Sequence, residues 1–317
     1  MASRPRFTTA ALAALTAAAS LLGVALPAAP AGAGEDGGRL AFRGTAEAAA
    51  VRLTMTVANG PGTNDPIDVP GPIAHAGVNS LGSSTAFASF PYPGDTAISI
   101  PGLIPAVVPG APSLPAYPFY AHSEFPLVPK GQQSSGAVNL SAESNETASQ
   151  AAAFAGPKGD GPGATSAEAS VVGDGDKVVA TARAVVACFA AGPLAIGRVV
   201  STASTILLAD GTLQRTSSLE LAGLRIGDQT VGLTRSGFVV PGSAVPFPAG
   251  VQDQLRAALA AAGMTVEWVP ERQTEDGVVS AGLRIRQERD MPNGRDALTW
   301  VIGQSTASVV GAAKGDS

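Results

Sequence analysis

The chain has 317 residues, including 38 glycines and 25 prolines, and only 14% of its side chains are charged, 25 acidic against 20 basic. That balance excludes a nucleic-acid binder, which needs a basic face to neutralise phosphates. A single cysteine, Cys188, excludes an internal disulfide, so a chain of this length has to hold itself together by burial and hydrogen bonding.

The first residues read as an export signal. Arg4 and Arg6 precede an apolar run from Ala10 to Leu26, and Ala31 and Ala33 supply the small residues of a cleavage site. The run is too short and too Ala-rich to span a bilayer. Residues 1–33 are therefore expected to be a signal peptide cleaved near Ala33, leaving a secreted protein with no membrane span. Without the two leader arginines, 18 basic side chains face 25 acidic ones, a net charge of −7. The terminal "VVGAAKGDS" has no apolar stretch followed by a basic tail, so covalent wall anchoring is unsupported.

Residues 34–130 are expected to form a β and Pro-rich segment packed on the core. In "LAFRGTAEAAAVRLTMTV", Val51, Leu53, Met55 and Val57 alternate with Arg52, Thr54 and Thr56, which reads as a strand with one wetter face. From Ile67 to Pro129 the prolines, among them Pro91, Pro93, Pro101 and Pro105, argue against a helix and against long central strands. Short extended pieces joined by polyproline-like linkers are expected there. The stretch "AFASFPYPGDTAISIPGLI" places Phe87, Phe90 and Tyr92 among prolines ahead of Asp95, and reads as a rigid connector with an aromatic contact surface.

Residues 131–165 are polar and Gly/Ser/Ala-rich, and are expected to be a linker or loop. Residues 166–312 are the best patterned and are expected to form a β-rich domain. Seven β-like runs, from "DKVVATARAVV" to "ALTWVIGQSTASVV", are separated by turn sequences such as "GDGD", "ADGT" and "PNGRD" that suit antiparallel hairpins. One amphipathic helix interrupts them at about 249–262, with Val251, Leu255, Leu259 and Ala262 on one stripe and Gly263 as its stop. The expected fold is mainly β: a curved antiparallel sheet, half-barrel or roll-like, with that helix against its concave side. A β-solenoid or a β-sandwich is the alternative. Small side chains allow sheets to pack closely, although each buries little apolar area.

Chemistry-bearing residues are scarce. The two histidines, His75 and His122, have no G-x-S-x-G elbow to serve and no H-E-x-x-H or cysteine pair to complete a zinc site. Asp174 and Asp176 in "VGDGDK" lack the later acid ligands of a calcium loop and read as a turn. Glu267, Glu271, Glu275 and Asp276 are carboxylates with no sign of convergence, and Cys188 reads as a small buried side chain. No catalytic residue, cofactor or metal is assigned. The residues expected to touch a ligand or partner are Phe90, Tyr92, Tyr117, Phe119, Tyr120, His122, Trp268 and Trp300.

"PIAHAGVNSLGSSTAFASFPYPGD", "YPFYAHSEFP", "IGRVVSTASTILLADGTLQRTSSLELAGLRIGDQTVGL" and "EDGVVSAGLRI" resemble, in that order, segments of a group of uncharacterised secreted proteins of high-GC Gram-positive bacteria. The resemblance covers about Leu40 to Val310. It implies export and an envelope or extracellular setting, and carries over no catalytic residue. The expected function is that of a non-catalytic exported protein acting by binding or by its structure, with a cell-envelope component as partner. The alternative is a carrier of a lipid or other apolar ligand, lined by Phe238, Phe247, Trp268 and Trp300; a hydrolase comes third.

Overall fold

Period-two alternation runs through most of the chain, and strands follow it. A computed structural model describes residues 41–56, 67–107, 115–157, 163–292 and 294–312, all within the unit Glu35–Ser317. The expected signal peptide and its cleavage site lie outside the described residues.

In chain order the first strands are β1 (Ala41–Thr56), β2 (Ile67–Pro70), β3 (Ile73–Asn79) and β4 (Ser84–Ser89), then helix α1 (Asp95–Val107) and β5 (Tyr120–Phe125). A run of hairpins follows: β6 (Lys130–Ser135), β7 (Val138–Ser144), β8 (Ala148–Ala155), β9 (Thr165–Asp174), β10 (Lys177–Ala191), β11 (Leu194–Leu208) and β12 (Leu213–Ala222). Short strands β13 (Arg225–Ile226), β14 (Gln229–Thr230), β15 (Gly232–Thr234) and β16 (Gly237–Val239) lead to helix α2 (Ala249–Ala260). The last strands are β17 (Met264–Val269), β18 (Arg272–Gln273), β19 (Gly277–Val279), β20 (Gly282–Met291) and β21 (Gly294–Ala312).

The protein is mainly β, in antiparallel sheets that do not close into a barrel. The front sheet runs β17-β20-β21-β1-β3-β4-β5, and the back sheet runs β14-β13-β11-β10-β9-β8-β7-β6 with β12 beside β11. The two stack face to face: β21 lies on β10 and β11, β3 on β8 and β9, and β4 on β7 and β8. Of the arrangements left open by the sequence this is the sandwich. A second sheet covers the front sheet's inner face, while α2 sits against β17 and β13.

Alanine sets the spacing of the sandwich. Ala48, Ala74, Ala76 and Ala88 of the front sheet and Ala167, Ala180 and Ala184 of the back sheet are all fully buried in one core. Such short side chains let the sheets approach closer than the usual separation of about 10 Å. Hydroxyls then bond across the gap: Ser149 Oγ donates to Gly77 O at 3.1 Å, and Thr205 Oγ1 donates to Ala307 O at 2.8 Å. Ser201 and Ser305 join their hydroxyls at 2.8 Å, as do Ser123 and Ser144. Buried serines are thereby satisfied, which polar groups in an interior require.

Several local expectations are corrected. The segment 131–165 is not a linker, because β6, β7 and β8 occupy most of it. Its alanines, among them Ala142, Ala151 and Ala153, fill the inter-sheet space. Two helices are described instead of one. Helix α1 forms in the Pro-rich segment despite Pro101 and Pro105, which stand one helical turn apart and each remove one backbone donor. In α2, Leu255 and Leu259 are buried but Val251 stays 37% exposed, so the apolar stripe is shorter than expected. Cys188 is exposed, not buried. It takes φ +56 where β10 and β11 skip a pair, a left-handed turn of the strand that costs a non-glycine residue about 1–2 kcal/mol.

Candidate functional site

The outer face of the front sheet carries a cleft lined by Glu47, Arg52, Asp68, Pro70, Ile73, His75, Phe87, Tyr92, Pro93, Gly94 and Asp95, with a volume of about 490 Å³. Cross-strand register builds its floor. Glu47 on β1 stands opposite His75 on β3, His75 opposite Phe87 on β4, and Phe87 opposite His122 on β5. One level of the sheet thus presents a carboxylate, an imidazole, a phenyl ring and a second imidazole in a row.

Arg52 joins this face through a break in β1. Residues five apart on a regular strand point to opposite sides. Pairing between β1 and β21 lapses at Ala50 and Gly303, where Gly303 adopts φ +69. The inward set accordingly changes from Ala46, Ala48 and Ala50 to Val51, and Arg52 turns outward beside Glu47. Its Nη2 lies 3.4 Å from Glu47 Oε1, and its Nη1 donates to Asp68 Oδ2 at 3.1 Å. On the other side of Glu47, His75 Nδ1 lies 3.6 Å from Oε2, an ion-pair distance just beyond direct hydrogen-bond reach.

The far wall is the proline-aromatic connector after β4. Tyr92 N donates to Pro70 O at 2.8 Å, and Phe90 N donates to Phe119 O at 3.2 Å. Ser89 Oγ donates to both Pro91 O and Phe119 O, and Tyr117 Oη donates to Pro91 O at 2.8 Å. So held, Tyr92 stacks on Phe87 with ring centres 5.2 Å apart, and His75 stacks on the same ring at 5.2 Å. Tyr120 tilts against Phe87 at 5.8 Å and stacks on His122 at 6.1 Å. The Tyr92 hydroxyl donates to Asp95 Oδ1, in the first turn of α1, where a carboxylate suits the helix dipole.

Electrostatics follow from this arrangement. The His75 ring, and then the charges of His75 and Arg52, hold the Glu47 carboxyl below its usual value against the opposing effect of burial. Burial first, then the bond to Asp95, pushes the Tyr92 phenol well above its usual value, so its hydroxyl stays protonated. Burial also raises Tyr117 and, with help from Asp95, Tyr120. Two buried polar atoms of lining residues, Arg52 Nε and His75 Nδ1, have no hydrogen-bond partner among the described residues.

The structure divides the expected contact residues. Tyr92 lines the cleft, and Tyr120 and His122 extend its ring cluster along the sheet. Tyr117 braces the connector and meets Phe119 edge-on, while Phe90 and Phe119 are half-buried packing residues. Trp268 and Trp300 lie away from this group, on β17 and β21, packed on the core, with Trp300 edge-on to Phe189. Phe238 and Phe247 are likewise spent on the core.

Sequence reasoning missed Glu47, Arg52 and Asp68 as site residues. A signal for two of them was present, since Glu47 and Arg52 are isolated charges in the Ala-rich "TAEAAAVRL". Asp174 sits opposite Lys177 in a tight hairpin, with Asp176 in the turn between them. Among the described residues no three metal-ligating side chains converge, and no helix is long and apolar enough to cross a membrane. No protein-family model and no curated protein matches this chain.

Proposed function

We propose that this is an exported, non-catalytic binding protein of the cell envelope or extracellular space, and that its binding surface is the cleft on the front sheet. One observation carries the reading. Only 5% of the chain is aromatic, yet all three tyrosines and both histidines gather at this cleft and the ring cluster beside it. The strands of the back sheet from β8 to β10 carry mostly alanine, serine, threonine and valine, and charges of β20 are paired with one another and with β17 and β21. Aromatic rings beside placed polar groups are the usual make-up of a ligand site.

Two features weigh against catalysis at the cleft. A general acid needs a raised carboxyl pKa, and Glu47 is lowered. Among the described residues no serine, threonine or cysteine lines the cleft to serve as a hydroxyl or thiol nucleophile. The carrier reading is weakened by the interior. Hydroxyl-to-carbonyl bonds between the sheets bring them too close to hold a lipid, and the four rings expected to line such a cavity pack on the core.

The test is co-sedimentation of the purified protein with an insoluble envelope fraction of a high-GC Gram-positive bacterium. Retention is expected for the wild type and is expected to fall about tenfold or more in Tyr92→Ala and Arg52→Gln. Retention unchanged by both substitutions would sink the proposal, as would hydrolytic turnover that disappears in His75→Gln.

A further inference from the structure

Resting on the cleft as the binding site, we infer that its ligand is a saccharide, bound through vicinal hydroxyls with one face of a sugar ring against the aromatic wall. The signs of the lining alternate along the cleft. Asp68 is joined to Arg52, Arg52 to Glu47, and Glu47 faces His75, with Asp95 on the opposite wall. A simple anion entering here meets three carboxylates, and a simple cation meets the guanidinium between two of them. Adjacent groups of opposite character are satisfied together by a ligand whose neighbouring positions both donate and accept. A sugar diol does this: one hydroxyl gives its proton to a carboxylate while its oxygen accepts from an N–H.

Two further observations point the same way. Arg52 Nε and His75 Nδ1 belong to two of the lining residues and have no hydrogen-bond partner among the described residues, although both atoms are buried and Nδ1 lies 3.6 Å from Glu47 Oε2. Leaving such atoms unsatisfied is costly, which marks the Arg52 and His75 side chains as groups that gain from re-pairing when a ligand binds. Beside the charged end of the floor, Tyr92 and Pro93 on the connector supply the apolar wall for the C–H face of a pyranose, with Phe87 stacked behind Tyr92. The volume of about 490 Å³ is that of a small-ligand site, and the cleft is open along the sheet surface, so the ligand need not be a chain end. Hydrogen bonds from Ser89, Tyr117 and the Tyr92 amide fix the wall in advance, which lowers the ordering cost of binding.

The experiment is calorimetric titration of the untagged protein with chitotetraose, cellotetraose, maltotetraose and mannotetraose, with spermidine and citrate as charged comparisons. At least one saccharide is expected to bind. Its affinity should drop about tenfold or more in Arg52→Gln and in Tyr92→Ala. It should be unchanged in Arg183→Gln, which alters a charge on the back sheet. Circular dichroism of each variant separates lost binding from lost folding, and Tyr92→Phe, which keeps the ring, should retain more affinity than Tyr92→Ala. Binding of none of the four saccharides, or binding that the cleft substitutions leave intact, overturns the saccharide assignment. If envelope retention still depends on Tyr92 and Arg52 in that case, the binding reading survives with another ligand; if it does not, both fall.

Discussion

At Glu47 two influences oppose each other: His75 and Arg52 favour the carboxylate, burial disfavours it, and the outcome lies below the ordinary value of 4.5. A carboxyl lowered by folding contributes stability that is complete above its unfolded value and is lost as pH falls through its folded one. Its side chain remains 39% exposed, so solvent screening keeps the contribution modest. Urea midpoints taken at neutral pH and at pH below 4.5 should therefore fall more steeply for the wild type than for Glu47→Gln. Parallel falls would mean that Glu47 is not coupled to its neighbours. How far single residues can be read in advance differs within this one site. Tyr92 is legible because a ring among prolines has little to do except pack or bind. Arg52 is not, because its direction depends on Gly303, which lies on β21 at the other end of the chain.

Among the elements, those rich in valine, isoleucine, leucine and threonine were legible. The runs "LAIGRVVSTASTILL" and "MTVEWV" coincide with β11 and β17 residue for residue. The strands β6, β7 and β8 were not, because alanine, serine and glutamine have weak strand preference. Strands β7 and β8 form because a second sheet lies close above them, where only small side chains fit, whereas β6 is an exposed edge strand held by its pairing with β7. Close approach is sharpest where β5 meets β6: a Cβ on Gly131 would stand 2.1 Å from His122 O. Gly131→Ala should cost about 1–3 kcal/mol, the usual range for overpacking, read as a lower urea midpoint. Gly102, inside α1, has nothing within 4 Å of a built Cβ, so Gly102→Ala should add about 0.5–1 kcal/mol of stability, read as a higher urea midpoint. Equal effects at the two glycines would contradict the close inter-sheet contact and the helix alike.

Over the whole molecule, the labour is divided between a uniform scaffold and one distinctive surface. The first and last described strands, β1 and β21, pair from Ala41 opposite Ala312 to Thr56 opposite Ala297, with one lapse at Ala50 and Gly303. That pairing ties the two ends of the described chain into the middle of the front sheet and fixes the strand bearing Glu47 and Arg52. With inter-sheet hydroxyl bonds and no disulfide, the sandwich offers a stiff support on which loops and sheet face can hold a ligand. The mainly β class was legible from alternation and turn chemistry, whereas the stacking of two sheets was not, since short side chains leave equal room for curvature or for close packing. The chain's two histidines allow a direct test, because His75 lines the cleft and His122 lies beside it. Proton NMR of the imidazole C–H signals, assigned by His75→Gln and His122→Gln, should be followed while a soluble digest of envelope material is added. The His75 signal is expected to shift saturably and further than that of His122; a bound digest that leaves the His75 signal in place would contradict the assignment of function to this cleft.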